Sequence, residues 1–492
     1  MIDHLPALQV VIPLIAAPLS ALFRPGRAVW GLAMAASGLS LLIAILLLRQ
    51  VLEQGVISYP MGNWPAPWGI EYRVDAANAF MLLIVSMIGT VVIAFARTVV
   101  EQRIRLPEHK QPWFYTAYLL CLTGLLGMIV TGDAFNVFVF LEISSLSSYV
   151  LISLGRDRRA LTAAYQYLIM GTIGATFILI GIGLLYVMTG TLNMMDLAAR
   201  IPAVSGTRTI RAAFAFLTVG VSLKLALFPL HLWLPNAYAY APSPVTAFLA
   251  ATATKVAIYV LLRFFFTIFG AEFSFNVMEL DRILLPLALI GIFSASVVAI
   301  FQTNVKRMLA YSSVAQIGYM ILGVSLVSVT GLTSTLSHLF NHALMKGTLF
   351  MALGCISFRI GAASLDRMAG VGRVMPWTMG AFVIGGLSLI GAPLTAGFVS
   401  KWYLILGALE RGWWPVAALV LLTSLLAVIY LWRVVEVAYF KPAPERPVRE
   451  APLALLIPTW TLALANLYFG METSLNAGVA RRAAETLLGV AP

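Results

Sequence analysis

Apolar runs of about twenty residues follow one another along this chain, with short polar connections between them. A helix rises about 1.5 Å per residue, so a run of about 20 apolar residues reaches across a bilayer. The pattern predicts about fourteen spanning helices, over residues 6–23, 28–48, 75–96, 113–131, 134–154, 162–188, 211–230, 244–268, 283–301, 308–328, 331–358, 377–406, 413–437 and 452–471. Segment 50–74 departs from it. There Tyr59, Pro60, Gly62, Trp64, Pro65, Pro67, Trp68 and Gly69 predict an interfacial hairpin. No stretch leaves room for a soluble domain.

Two runs carry interruptions. Residues 225–235 hold Pro229, His231 and Pro235, and residues 391–397 hold Pro393 between two glycines. Proline removes a helix hydrogen bond, and irregular backbone at membrane depth survives only beside protein or water. Paired breaks in corresponding halves of a chain point to ion handling. Ordinary proline kinks are the plainer alternative. Lys224 stands just before the first break and Lys401 just after the second.

Composition narrows the class. The chain is 61% hydrophobic and 11% charged, where soluble domains carry roughly 25% charge. Soluble and disordered classes are therefore excluded. Long unbroken runs do not fit the short alternating strands of an outer-membrane barrel. The fold class is an all-α polytopic membrane protein. Net charge is +12, but no basic stripe with interleaved aromatics appears, so no nucleic-acid partner is expected. Cys121 and Cys355 lie inside apolar runs, without metal or redox spacing, and read as small buried hydrophobes. The N-terminus lacks a basic region, and no signal peptide is expected.

The cations instead follow the positive-inside rule. With the N-terminus outside, 18 Lys and Arg fall in cytoplasmic loops and 10 on the opposite side, Arg263 among them at a helix end. Both termini are expected on the outer side of a bacterial or archaeal inner membrane, a multi-pass location. The remaining four, Lys224, Lys255, Lys346 and Lys401, fall within spans.

An ionisable group at the bilayer centre costs roughly 2.5–3.5 kcal/mol on insertion scales. Glu142, Lys224, Lys255, His338, His342, Lys346 and Lys401 must therefore be paired, hydrated or neutral part of the time. Glu142 is the one acidic residue at the middle of a span, and Lys224 is its natural partner. That pair either sets the lysine's proton affinity or is a fixed salt bridge. Lys255 follows a run of small residues near mid-depth, where a lysine titrates readily; a snorkelling lysine is the alternative. His338, His342 and Lys346 recur every four residues on one helix face. Histidine titrates near neutral pH, so the row suits a proton wire. Zinc would want more ligands than two histidines, and no metal is expected. His231 could bond carbonyls freed at the first break or carry a proton.

The segments 224–235, 241–247 (Ala-Pro-Ser-Pro-Val-Thr-Ala), 306–319 (Lys-Arg-Met-Leu-Ala-Tyr-Ser-Ser-Val-Ala-Gln-Ile-Gly-Tyr) and 342–350 (His-Ala-Leu-Met-Lys-Gly-Thr-Leu-Phe) resemble the antiporter-like subunits. These are shared by respiratory complex I (NADH-quinone oxidoreductase), membrane-bound hydrogenases and Mrp-type cation/proton antiporters. The resemblance covers nearly the whole chain. It implies about fourteen helices, with two inverted five-helix repeats at 113–268 and 283–437, each with a broken helix. Residues 1–112, including the hairpin, would form an N-terminal three-helix unit, and 438–492 a last helix and short tail. It implies a hydrated polar axis at mid-membrane. Glu142 and Lys224 look like the family's modulating pair, Lys255, His338, His342 and Lys346 like its central relay, and Lys401 like its terminal lysine. Residues 165–172 and 189–194 look most like the D-type component of Mrp antiporters, and the chain is not expected to be one of the long members with extra C-terminal helices.

Three functions follow. One is a proton-translocating subunit of a multi-subunit sodium/proton antiporter, with other membrane subunits, lipid, protons and Na+ as partners. The second is a proton-pumping subunit of a redox-driven complex I-like or hydrogenase assembly. The third, a stand-alone solute carrier, fits poorly with a lysine-rich line. No cofactor motif is present, so no cofactor or catalytic site of its own is expected. One mid-span carboxylate makes a poor sodium site, so the chain is expected to carry protons and leave sodium largely to a partner.

Overall fold

The computed structural model describes residues 4–23, 26–104, 106–442 and 448–490. Arg24, Arg105 and Arg446, three of the cytoplasmic loop cations counted above, lie outside the described residues, as do residues 1–3. Helices α1 (Leu5–Leu22), α2 (Arg27–Gln54) and α3 (Ala76–Arg103) come first. Between α2 and α3 strands β1 (Ile57–Pro60) and β2 (Glu71–Val74) pair antiparallel, with Ile57 opposite Val74 and Pro60 opposite Glu71. The hairpin is shorter than 50–74 because α2 keeps its hydrogen-bond ladder to Gln54 and ends only at Gly55. Asp75 then caps α3, accepting from the amides of Ala77 and Asn78, while the Asn78 side chain accepts from the Asp75 amide. This reciprocal box satisfies the helix's first donors.

Helices α4 (Gln111–Val130), α5 (Ala134–Ser153), α6 (Arg159–Thr189), α7 (Met194–Val204), α8 (Arg208–Leu225), α9 (Trp233–Tyr240), α10 (Ser243–Ala251) and α11 (Ala253–Leu262) follow. Then come α12 (Leu280–Ile300), α13 (Val305–Ser325), α14 (Val329–Ile360), α15 (Val371–Val374), α16 (Pro376–Ile390), α17 (Ala396–Glu410), α18 (Trp414–Phe440), α19 (Leu453–Met471) and α20 (Ala480–Leu488).

Among the described residues, twelve helices are long and apolar enough to cross a membrane, or thirteen if Asp366–Val374 and Pro376–Ile390, bent by 108°, form one span. The difference from fourteen falls on expected spans 211–230 and 377–406. The first is α8, an 18-residue helix that carries Arg208, Arg211 and Lys224 and stops at Leu225. The second is divided between α16 and α17, each of 15 residues. Both departures coincide with the interruptions.

Two amphipathic helices lie where no span was expected. In α7, Asp196 pairs with Arg200 at 2.9 Å while Met194, Leu197 and Ile201 are buried. In α20, Ala480, Ala483, Ala484 and Leu487 are buried, a spacing of i, i+3, i+4 and i+7 that packs one stripe inward.

The helices form two shells. Every residue of α14 from Gly331 to Ile356 is buried, with α3, α10, α13, α16, α17, α19 and α20 packed around it. By contrast α6, α12 and α18 each expose apolar side chains such as Leu161, Ile283 and Leu425. A helix that is buried all round belongs to the core, and an outer apolar face at this scale suits lipid. Cys121 and Cys355 are free and buried.

Candidate functional site

The first break begins where α8 ends. Ala226 takes a left-handed conformation, φ 60° and ψ 44°, and Pro229 in the following segment has no amide to continue a ladder. The indole of Trp233 donates to the Leu223 carbonyl at 3.0 Å, covering an orphan group of the helix end. The same indole stacks on Tyr167, ring centroids 4.0 Å apart. Pro235 sits in the first turn of α9, where proline is tolerated. His231 lies in the break against Phe228, its Nδ1 without a hydrogen-bond partner among the described residues.

Lys224 occupies the last turn of α8. Its Nζ donates to the Ser145 hydroxyl at 2.9 Å and lies 3.7 Å from Glu142 Oε1. The carboxylate is within ion-pair range but beyond hydrogen-bond range, so a serine, rather than Glu142, holds the ammonium. Beyond Lys224 a cavity of about 30 Å³ reaches α11, walled by Ser145, Ser148, Tyr167, Ala253 and Ala257.

Lys255 is fully buried. The helix carrying it is irregular at Thr252, φ −127° and ψ −58°, and the Ala250 carbonyl just before that turn accepts from Lys255 Nζ. The Thr254 hydroxyl lies 3.4 Å away.

On α14 the four-residue row divides. The rings of His338 and His342 lie nearly parallel, 6° apart, with centroids 5.8 Å apart. Lys346 turns to α13, where its Nζ donates to the Leu309 carbonyl at 2.7 Å and the Ser312 hydroxyl at 2.5 Å. His338 is clamped from two other helices: Nδ1 meets Ser400 Oγ at 2.7 Å and Nε2 meets Gln316 Oε1 at 2.8 Å. His342 finds no hydrogen-bond partner for either ring nitrogen among the described residues, although Lys255, Lys346 and His338 all lie within electrostatic reach of it.

The second break depends on glycine. Gly391 has φ +90°, and a Cβ there would lie 2.9 Å from Lys401 Cδ. Glycine alone meets both demands at little cost. Pro393 falls in the irregular stretch that follows. Lys401, on α17, reaches back to the end of α16 and donates to the carbonyls of Leu389 (3.1 Å) and Ile390 (2.8 Å) and to Ser424 Oγ (3.0 Å). A cation at a helix C-terminus meets the negative end of the dipole and its unpaired carbonyls. The Tyr319 ring lies beneath it, 4.9 Å from Nζ to the centroid.

The structure thus sets Glu142 and Lys224 beside the first break and Lys401 at the second, with Lys255 on α11 and His338, His342 and Lys346 on α14 all buried. Several polar partners were not singled out by sequence reasoning: Ser312, Gln316 and Tyr319 on α13, Ser400 on α17, and Ser424 on α18. Positions 312, 316 and 319 recur at helical spacing, so a polar stripe through a buried span was a usable signal. Asn341 and Thr348 bind neighbouring helices, while Ser337 accepts from Asn341 of its own helix at 3.3 Å. Asn341 donates to the Ala396 carbonyl at 2.7 Å, and Thr348 accepts from Asn466 at 3.1 Å.

Two cations assigned to loops are buried. Lys306 donates to the Ala241 carbonyl at 3.2 Å, and Arg263 pairs with Asp75 at 2.6 Å. Burial pushes the Asp75 carboxyl up, but the Arg263 guanidinium and the capping amides outweigh it and hold it below the usual carboxylate range.

Residues 131–427 match the family described as NADH:quinone oxidoreductase/Mrp antiporter, TM. The chain is 42% identical over 493 residues to the N-type component of the NADH-quinone oxidoreductase of Desulforudis audaxviator (strain MP104C), covering 96% of each protein. It is 30% identical over 457 residues to the D-type component of the Na(+)/H(+) antiporter of Bacillus subtilis (strain 168), covering 92% of this chain and 91% of that one. Among solved structures, a chain of the membrane-bound sulfane sulfur reductase, an archaeal respiratory membrane complex, matches with a TM-score of 0.90 at 30% identity, covering 99% of this chain and 98% of that one.

Proposed function

The chain belongs to the NADH:quinone oxidoreductase/Mrp antiporter membrane family, and from that premise we propose that it carries protons along its buried axis within a multi-subunit assembly. It is a multi-pass, antiporter-like membrane subunit. The proposed route runs from Glu142 and Lys224 through Lys255, His342, His338 and Lys346 to Lys401. The observation that supports it most is the arrangement of the lysines. Each rests on a hydroxyl or on carbonyls left free by an irregular turn, and none but Lys224 has a carboxylate in ion-pair range among the described residues. A lysine that was only structural would be expected to take a carboxylate, since an uncompensated buried charge is costly.

Glu142 would act as the modulator. At 3.7 Å its hold on Lys224 is loose; a small approach strengthens the pair, and a retreat leaves the ammonium to Ser145. The cavity beside Lys224 and the His342 ring nitrogens, without a hydrogen-bond partner among the described residues, mark where bridging water would complete the line. We read residues 113–268 and 283–437 as the two inverted five-helix units, each built around one broken helix. The termini are proposed to face outside, on the 18:10 cation asymmetry.

The parent assembly is proposed to be a sodium/proton antiporter, on the similarity to the D-type antiporter component. The 42% relative favours a second reading, a proton-pumping subunit of a redox-driven complex. In either, this chain moves protons and its partners supply sodium or redox chemistry.

Everted vesicles carrying the whole assembly separate the readings. In the first, sodium dissipates an imposed proton gradient in wild type but not in Lys224→Ala or Lys401→Ala. In the second, sodium does nothing, and a redox donor drives pumping that both variants lose. Normal transport in both variants refutes the proposed route.

A further inference from the structure

We propose that the hairpin end of α11 holds a second, gated connection to Lys255, closed by the ion pair of Asp75 with Arg263. This rests on the reading of Lys255 as a proton carrier. Lys255, Tyr259 and Arg263 recur every four residues, so they rise along one helix face by about 6 Å per step. All three are buried. Arg263 Nε donates to the Tyr259 hydroxyl at 2.8 Å, and that hydroxyl donates to the Ile129 carbonyl at 2.9 Å. The other arm of Arg263 reaches Asp75 Oδ1 at 2.6 Å. On the far side of this network lies a cavity of about 420 Å³, with Asp75, Asn78, Tyr259 and Arg263 in its wall.

A polar network thus stands between a cavity large enough for many waters and the buried central lysine. Helix capping alone does not require it, because asparagine or serine would cap α3 as well as aspartate. A clamp alone does not require it either, because packed apolar residues hold helices together as well as a buried ion pair does. The pair does something those substitutes cannot: it fixes a guanidinium across the route. Arginine at a constriction excludes protons and other cations. With the pair made, Lys255 is shut off from the cavity. With Arg263 withdrawn, the Tyr259 hydroxyl, both donor and acceptor, meets the water of the cavity one helical turn from Lys255.

The test is passive proton uptake by proteoliposomes holding the intact assembly, without sodium or redox donor, after an imposed pH jump. Asp75→Asn keeps the cap but frees the guanidinium. Uptake is expected to rise about tenfold, the change that about 1.4 kcal/mol off a barrier gives. The leak should vanish in Asp75→Asn combined with Lys255→Ala, and fall with Tyr259→Phe. Arg263→Gln, a second way to remove the block, should leak likewise. Assembled variants that stay proton-tight overturn the proposal, as does a leak that survives the loss of Lys255. If neither variant assembles, the pair belongs to folding and the gate is wrong. Because the leak is read with no driving reaction, its outcome is separate from the exchange and pumping assays.

Discussion

Gln316 shows what one neutral side chain contributes. His338 has its two ring nitrogens engaged by helices other than its own, through Ser400 and Gln316. Gln316→Leu would leave Nε2 against an apolar wall, a loss of about 1–3 kcal/mol for a buried unsatisfied group. The expected result is a lowered unfolding midpoint and slower sodium- or redox-driven proton movement, read in the same vesicles. Full-rate transport in Gln316→Leu would take His338 off the route. The seven ionisable residues were legible because a charge inside an apolar run stands out against its surroundings. Gln316, Ser400 and Ser424 were not, because a neutral polar residue in a span carries no comparable penalty and its partner lies on another helix. Arg263 misled for a related reason. Its position at a helix end reads as solvated, and only the fold brings Asp75, 188 residues away in sequence, against it.

The elements tell a similar story at their ends. Proline marked both breaks and glycine the second, because each alters the ladder locally. The consequence for span counting was less visible: a helix that stops at mid-depth fails the length and composition that define a crossing. Helices α7 and α20 stayed hidden because short amphipathic segments never fill a window of apolar residues. Close approach is also a property of pairs of elements. A Cβ at Gly397, in the first turn of α17, would lie 1.8 Å from the Ser388 carbonyl oxygen of α16. Gly397→Ala must therefore push the two halves of the second break apart, at a cost of about 1–3 kcal/mol. The prediction is a lower midpoint in thermal unfolding and loss of transport through the displaced Lys401. An unchanged midpoint would mean that the break yields easily and is no fixed support for the lysine.

At the scale of the whole molecule, the last described segment is tied to the centre. Asn476 donates to Asn341 Oδ1 at 3.0 Å, one residue from His342, and residues 486–489 wall the cavity beside Arg263. Removing residues 474–492 should lower the midpoint of the assembled complex and slow transport, measured on the purified assembly. A truncated chain with wild-type midpoint and transport would make the tail dispensable. The inner shell also bears on how the molecule is made. Helices α13 and α14 are the least apolar of the twelve candidate spans and among those most enclosed by protein. A segment bearing two histidines, a lysine and an asparagine partitions poorly into lipid when it leaves the ribosome alone. The strongly apolar α12 comes before both in the chain, and α19 follows. Biogenesis must therefore hold these polar inner helices against protein neighbours, not lipid, until the enclosing shell has been synthesised.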